Sequence, residues 1–466
     1  MRVADEVRGH GGTIALGWVY DVHELVTGHH YDVAVMSAGP DGDLSVDVLV
    51  VGAGIQGLYV ARSLQRTYSV CVLSDPAVTS ETLDAVGYVS AGYEGNDAAR
   101  MQPARRAAGY WRLWAESNGV PAGYAPAHFA VPAPEASSRP RLWVDATLQH
   151  TRLDGLPEPF AGGSLEGEPV YALGDDVVLN PGEVLARLRD GLEPSCLHGS
   201  IVRFVLAGDA AIDHVQVEVG EDMVTIAPRY VVLAAGVGNA ALLGMLGKRF
   251  RDTSSRRDRL ETARTSQAVR RATVVCVRGD DLPLVSGWFG GLCIVAQPLH
   301  GGGVSWLISA PIDDHQTLLG PDDTRFEPAV PSPVVARTVE HLFAMAPMFE
   351  QRAGELQWAA YTGRRVQHPS LAGPAAAQVA TPVPAKLETF GLEAFLALWP
   401  SHLGYSMILG DVASERIADA LGPAHHGPSR AVAELAAPAG ALRSRWDRDD
   451  FPWSDWSDFS TTHGIK

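Results

Sequence analysis

Three glycines, Gly52, Gly54 and Gly57, stand in the run Asp47-Val48-Leu49-Val50-Val51-Gly52-Ala53-Gly54-Ile55-Gln56-Gly57. Their spacing suits a turn that holds phosphate against main chain. Gly52 permits the tight turn, Gly54 lets a pyrophosphate approach the backbone, and Gly57 lets the next helix pack close to the strand. Free N–H groups at that helix start favour negative charge. G-x-G-x-x-G alone is a weak signal, and here the context strengthens it. Val48 to Val51 is an apolar run suited to a buried parallel strand. Leu58, Ala61 and Leu64 follow at helical spacing. Val70-Cys71-Val72-Leu73-Ser74-Asp75 then reads as a second strand with an acidic end, and Asp75 lies near the offset at which a carboxylate takes ribose hydroxyls. The chemistry expected is dinucleotide binding. Glu24 and His23 have no companions at metal-ligand spacing, so no metal site is expected, and no Ser/His/Asp or Cys/His set stands out.

Other elements must position this turn. Gly87-Tyr88-Val89-Ser90-Ala91-Gly92 is followed by an expected helix over Pro103 to Ser117, carrying Tyr110, Trp111 and Trp114. The Pro/Gly-rich stretch 119–141 reads as loop. Asn180-Pro181 has the logic of a capped helix start, with Asn180 as cap and Pro181 in the first turn. Strands are expected over Ile201 to Leu206, Val215 to Val219 and Arg229 to Leu233, and again within 272–310. An amphipathic helix is expected over 334–350. Leu442 to Lys466 is rich in Trp, Asp and Ser and is expected to pack loosely. No internal repeat is evident.

The 466 residues amount to about three average domain lengths, though large α/β enzymes often interleave fewer. At 46% hydrophobic and 20% charged residues the chain can bury a sizeable core. A net charge of −17 argues against nucleic acid or an anionic membrane as partner. The most basic cluster, Lys248 to Arg259, also holds Asp252 and Asp258 and reads as a solvated loop. Cys71, Cys196, Cys276 and Cys293 are far apart, without metal-ligand spacing, which fits a reducing compartment. Cys71 and Cys276 sit in strand-like runs and read as inert core residues. Met1 to Gly12 lacks the apolar region of a signal peptide. The longest apolar run, Val231 to Leu246, is interrupted by Asn239 and glycines and is too short to span a membrane. A cytoplasmic protein is expected. Such a nucleotide-binding domain normally begins almost at its first strand. Residues 1–45 therefore read as an appended arm or as sequence upstream of a start at Met36, and 1–35 are expected to be dispensable.

With these segments in order, the chain resembles the FAD-dependent oxidoreductases of the D-amino-acid oxidase and glycine oxidase type. Beside the glycine fingerprint, Tyr230-Val231-Val232-Leu233-Ala234-Ala235-Gly236 looks like the family strand that ends near the flavin. Phe395 to Trp399, Pro400-Ser401-His402-Leu403-Gly404 and Tyr405-Ser406 are similar to its final strand, turn and closing helix. Leu179 to Leu188 resembles the helix before its β-meander. The likeness covers about residues 46–418. It implies an α/β (α+β) fold with a Rossmann-like FAD-binding domain and a second, antiparallel-sheet substrate domain. The division implied is 46–80, 150–245 and 355–425 for the FAD domain, 81–149 and 250–354 for the substrate domain, and 426–466 as a C-terminal tail. It further implies FAD as cofactor, held by Gly52, Ala53, Gly54, Ile55, Gln56, Gly57, Ser74 or Asp75, Ala235, Gly236, His402, Leu403, Gly404, Tyr405 and Ser406.

The substrate side departs from the family pattern. Ser401-His402 stands where the family has Gly-His. The family's Gly-Leu-Arg-Pro matches Thr362-Gly363-Arg364-Arg365-Val366 only in part, with Arg365 at the arginine position and the proline absent. By resemblance, Arg365 would clamp a substrate carboxylate, Tyr361 would donate to the same group, and His402 would touch flavin or substrate. Trp288 and Phe289 would wall the substrate pocket or pack in the core, and Trp399 would lie near the flavin or simply pack. Gly208-Asp209 looks like a monooxygenase motif but lies between two strands and reads as a hairpin turn. The expected function is oxidation of a small amine or amino acid by hydride transfer to flavin N5, with O2 as acceptor. Three alternatives stay open: a 2-hydroxy-acid or alcohol dehydrogenase, a non-catalytic flavin-binding protein, and a flavin monooxygenase.

Overall fold

The computed structural model describes residues 44–78, 80–92, 98–121, 127–130, 139–208, 210–250, 255–309, 318–319, 329–367, 385–400, 403–423 and 442–465. The arm up to residue 43, His402 and Asp209 lie outside them. In chain order the strands are β1 Leu44–Val51, β2 Val70–Ser74, β3 Tyr88–Val89, β4 Ala127–Ala130, β5 His150–Leu153, β6 Val170–Leu173, β7 Val177–Val178, β8 Cys196–His198, β9 Ser200–Ala207 and β10 Ala211–Val219. They continue as β11 Asp222–Leu233, β12 Ala268–Gly279, β13 Gly287–Phe289, β14 Leu292–Pro298, β15 Val304–Ser309, β16 Leu318–Leu319, β17 Gln357–Gln367, β18 Ala385–Glu388, β19 Phe395–Pro400 and β20 Ser454–Asp455. The helices are α1 Ile55–Leu64, α2 Ala98–Asn118, α3 Arg139–Asp145, α4 Pro181–Arg189, α5 Asn239–Gly247, α6 Ser255–Ser266, α7 Ser332–Met345, α8 Pro347–Gln351, α9 Ser406–Leu421 and α10 Trp456–His463.

The strands form two main sheets. The first runs β18-β19-β11-β1-β2-β8, with the β9–β10 hairpin continuing from β11. β1 is parallel to both β2 and β11, β8 to β2, and β19 to β11. Its strands are apolar on both faces because both are covered. Val48 and Val50 pack with α1, α4 and α9 on one face, while Leu49 and Val51 pack with α5 and α6 on the other. Gly208, at φ +66°, turns the hairpin as expected.

The second sheet runs β20-β17-β12-β15-β14-β13-β4-β6-β5, antiparallel except at β13–β4. Alternation along β12 feeds two cores. Val275 and Val277 meet α7, α8 and α10, whereas Val274 and Cys276 meet Val178, Tyr361 and Trp446. The fold is thus α/β, a Rossmann-like body joined to an antiparallel sheet.

Four expectations are corrected here. β5, β6 and β17 lie in the second sheet, not with the FAD segments 150–245 and 355–425 to which they were assigned. Their partners are distant in sequence, so local pattern does not reveal them. The stretch 442–465 does not pack loosely: Trp446 is fully buried, Phe459 nearly so, and Ser454–Asp455 pairs with β17. Its aromatic residues supply the apolar surface that its Asp and Ser content obscures. Part of the basic cluster 248–259 is helical, because Leu260 and Ala263 bury one side of α6. The expected loop 119–141 also contains β4 and the start of α3.

Candidate functional site

The glycine turn and the Ala235–Gly236 turn meet at the carboxyl edge of the parallel sheet. Register places Val51 beside Leu233, so the chain leaves β1 and β11 side by side. Gly52 takes φ +113°, and a Cβ there would collide with the carbonyl of Ala234. A Cβ on Gly57 would strike the Gly52 carbonyl, which is the close helix–strand packing expected of it. Gly54 differs. Its φ is an ordinary −76°, and a Cβ would meet Ser80 Oγ at 3.2 Å and Thr82 Oγ1 at 3.6 Å. The backbone itself tolerates a side chain there, and the demand for glycine comes from what approaches it.

α1 starts with no side-chain cap and no acid in its first turn, leaving N–H groups for an anion. Thr82 Oγ1 accepts from Ile55 N at 3.2 Å, and a single-turn helix over Glu81–Asp84 brings Ser80 and Thr82 onto the turn. Sequence reading missed both; two hydroxyl residues shortly after β2 were the available signal.

Glu81 closes the second turn. Its Oε1 accepts from Val237 N at 3.0 Å, and a Cβ on Gly236, at φ +56°, would collide with its carboxylate. Burial raises the Glu81 carboxyl to about 7, against lowering by the Val237 N–H and the nearby Arg364. Behind that turn, Asn239 Oδ1 accepts from Ala235 N at 3.0 Å while its Nδ2 donates to Leu398 O. Trp399 Nε1 donates to Gln267 Oε1 at 3.1 Å and Gln267 Nε2 to Val237 O at 3.0 Å, so Trp399 braces the turn from within the core.

The closing turn approaches from α9. This helix also begins without a side-chain cap or an early acid. Trp111, fully buried on α2, donates Nε1 to the carbonyls of Leu403 at 3.2 Å and Gly404 at 3.1 Å, fixing the turn. Gly404, Tyr405 and Ser406 are buried and Leu403 partly so. On the facing sides of α1 and α9, Gln56 (4% exposed) has both amide atoms without a partner among the described residues, as does the buried Ser406 Oγ. A Cβ on Gly410, one turn after Ser406, would lie 3.3 Å from Gln56 Nε2. Unpaired buried polar atoms are costly, and two uncapped helix starts flanked by them fit a polar, anionic cofactor. FAD is such a group. Gly52 to Gly57, Ser80, Thr82, Ala235–Gly236 and Leu403 to Ser406 are the residues that would hold it.

Of the expected substrate residues, Tyr361 and Arg365 lie on β17, and His402 lies outside the described residues. Tyr361 is buried, and its hydroxyl donates to the Asp84 carbonyl at 2.8 Å with the Arg445 guanidinium over its ring. It is a core tyrosine tying β17 to the Glu81–Asp84 turn, which corrects its assignment as a substrate donor. Arg365 is exposed, whereas Arg364, pointing to the other face of the strand, is half-buried and near Glu81. The single-residue alternation of a strand separates the two. Trp288 is half-buried against Tyr88, with ring centres 6.4 Å apart, while Phe289 stacks on Phe160 in the outer core. The segment Tyr88 to Gly92 is held by Asp176, which accepts from the Tyr88 hydroxyl at 2.6 Å and from Ala91 N and Gly92 N.

At the ends of the outer parallel strands, Ser74 Oγ and His198 Nδ1 lie 3.0 Å apart. Asp75 Oδ1 accepts from Ala77 N at 2.9 Å within its own turn. All four cysteines are buried free thiols, and burial pushes Cys71 up to about 12 and Cys196 to about 11. No helix of the described residues is long and apolar enough to cross a membrane.

Residues 47–382 match the family model described as FAD dependent oxidoreductase, DAO. Comparison with curated protein sequences finds no match. Among solved structures the fold is similar to an FAD dependent oxidoreductase from Pseudomonas aeruginosa, with TM-score 0.60 and 19% identity over 86% of this chain and 98% of that one. It is also similar to glycine oxidase from Bacillus cereus (TM-score 0.58, 17% identity, 81% and 94% of the two chains). L-amino acid deaminase from Proteus vulgaris is a third (TM-score 0.58, 16% identity, 83% and 96%). At these identities the likeness is one of fold.

Proposed function

The chain belongs to the DAO family of FAD-dependent oxidoreductases, and from that membership we propose that it oxidises a small amine or amino acid, leaving an imine, with O2 as acceptor. FAD, when bound, supplies the hydride acceptor, N5. The observation that carries the substrate class is the arginine pair near the end of β17, a strand in contact with both the Glu81–Asp84 and the Gly236–Gly238 turns. A guanidinium beside the cofactor turn suits a substrate carboxylate, which it can pair bidentately. The fold shared with a glycine oxidase and an L-amino acid deaminase supports the same class.

Within this reading the chain's own groups divide the work. The uncapped start of α9 presents N–H groups to the negative charge that develops at the flavin pyrimidine end. By resemblance, His402 is a further candidate to touch flavin or substrate. Either Arg365, by resemblance, or Arg364, by its partly buried side and proximity to Glu81, anchors the anionic group. Arg364→Leu and Arg365→Leu, each titrated with substrate, separate the two. The true anchor loses on the order of 2–5 kcal/mol of substrate binding while flavin binding stays intact. If neither variant matters, the substrate carries no anion there, and a plain amine or an alcohol becomes the reading.

The deciding experiment is an anaerobic screen. The visible flavin spectrum of the purified protein is recorded against amines, amino acids and 2-hydroxy acids. Bleaching by an amine or amino acid, followed by O2 consumption in air, is expected. Bleaching by hydroxy acids alone would replace the amine reading with the alcohol one.

A further inference from the structure

We propose that Ser74 and His198 together grip the ribose hydroxyls at the adenosine end of the cofactor, in place of the carboxylate usual at that position. The inference rests on the FAD assignment and concerns how this chain fulfils it.

A dinucleotide bound at a glycine turn extends its adenosine over the carboxyl end of the second strand, where an acid ordinarily accepts from the ribose. In this sheet β1, β2 and β8 are adjacent and parallel. Ser74 and His198 therefore end neighbouring strands on the same edge as Gly52, paired directly with each other in register. Gly199 N donates to Ser74 O at 2.9 Å and extends that pairing past the last residue. Side chain meets side chain at 3.0 Å between Ser74 Oγ and His198 Nδ1, and both are partly buried.

The acid expected to do this work is engaged elsewhere. Asp75 lies one residue beyond the strand, and its Oδ1 accepts from Ala77 N, so the carboxylate closes its own turn. Ser74 is thus the residue whose strand position points at the cofactor edge, and a hydroxyl alone offers one donor and limited acceptor capacity. His198 adds what is missing. With Nδ1 joined to Ser74, its Nε2 has no partner among the described residues. A hydroxyl and an imidazole side by side offer both a donor and an acceptor to a vicinal diol. Neither side chain carries a carboxylate's negative charge, so the diol loses the anion-assisted bonds an acid would make and the adenosine end is held less tightly.

The test uses the full-length protein freed of flavin and titrated with FAD, ADP, 2′-deoxy-ADP and 3′-deoxy-ADP. The wild type should prefer ADP over at least one deoxy analogue by about five- to tenfold, the worth of one or two neutral hydrogen bonds. Ser74→Ala and His198→Ala should each weaken FAD and ADP by about that factor and abolish the preference, with the melting temperature unchanged. His198→Gln, which keeps a donor and an acceptor, should restore part of it and serves if the alanine variants fold poorly. Asp75→Asn should leave the preference intact. The proposal is overturned if Asp75→Asn removes the preference, if the Ser74 and His198 variants retain it, or if the wild type shows none. A wild-type chain that takes up no FAD under any condition would instead overturn the FAD assignment.

Discussion

Gly54, Glu81 and the arginines of β17 show how differently single residues act around one turn. Gly52 and Gly57 are required by the fold, because a Cβ at either would strike a neighbouring carbonyl. Gly54 has an ordinary φ and only side-chain hydroxyls nearby. Gly54→Val should therefore fold with a near-normal melting temperature and lose FAD uptake, since the side chain would occupy the pyrophosphate's place. A variant that still turns yellow with FAD would refute this role. Glu81 sets a pH dependence. Its folded carboxyl sits at about 7 against an ordinary 4.5, so between those values the folded chain keeps a proton that the unfolded chain has released. Stability then falls as pH rises through that window and is level on either side. The flavin-free Glu81→Gln variant should lose this slope and gain on the order of 3 kcal/mol over wild type above pH 7. Urea unfolding of both at pH 4, 6 and 8 measures it, and parallel curves would sink the idea.

At the scale of elements, α1 and α9 must be held together if each is to offer one end of the cofactor its N–H groups, as proposed above. Gly410 lets the Tyr59 ring sit against α9, and the Tyr59 hydroxyl donates to Asp411 Oδ1 at 2.8 Å. Burial raises the Asp411 carboxyl to about 6, and the Tyr59 bond works against that rise. Tyr59→Phe leaves this acid buried without its donor and should cost about 1–3 kcal/mol, read by denaturant unfolding. α2 does a different job, since Trp111 reaches the carbonyls of the closing turn. Trp111→Phe should loosen the turn and weaken FAD by about three- to tenfold, with a smaller effect on the melting temperature. Equal affinity in both proteins would mean that the turn holds itself.

The whole molecule depends on a C-terminal strap that joins the two sheets. Ser444 Oγ accepts from Gly182 N and donates to Asn180 Oδ1 at the start of α4. Arg445 reaches Asp84 at 3.6 Å and lies over Tyr361, while Asp447 Oδ1 accepts from His300 N at 2.9 Å between β14 and β15. Trp446 is sealed among residues of the second sheet. Trp446→Ala should cost about 3–5 kcal/mol. Removing residues 442–466 should go further and lower the melting temperature by more, as the sheets keep only the ties that β17 makes to the Glu81–Asp84 and Gly236–Gly238 turns. A truncated chain that melts near the wild-type temperature would show the strap to be ornamental.

Local signals in the amino-acid order sufficed for the glycine turn, the parallel core strands, the Asn180 cap and the family itself, because each is written within short segments by glycine spacing, apolar runs or helix-start chemistry. They also sufficed for the hairpin at Gly208. What only the tertiary structure decided is which distant segments meet. β17 joins β12 across about ninety residues, the Ser80–Thr82 hydroxyls fold back onto α1, and His198 comes to stand beside Ser74. The same limit explains Arg364 against Arg365. A resemblance can place an arginine within one position, but a strand turns adjacent side chains to opposite faces, and only packing tells which face looks toward the cofactor turn. The strap was hidden for a related reason: Trp446, Phe451 and Phe459 follow no helical or strand period, and their burial exists only because a sheet built from residues far upstream offers the surface to receive them.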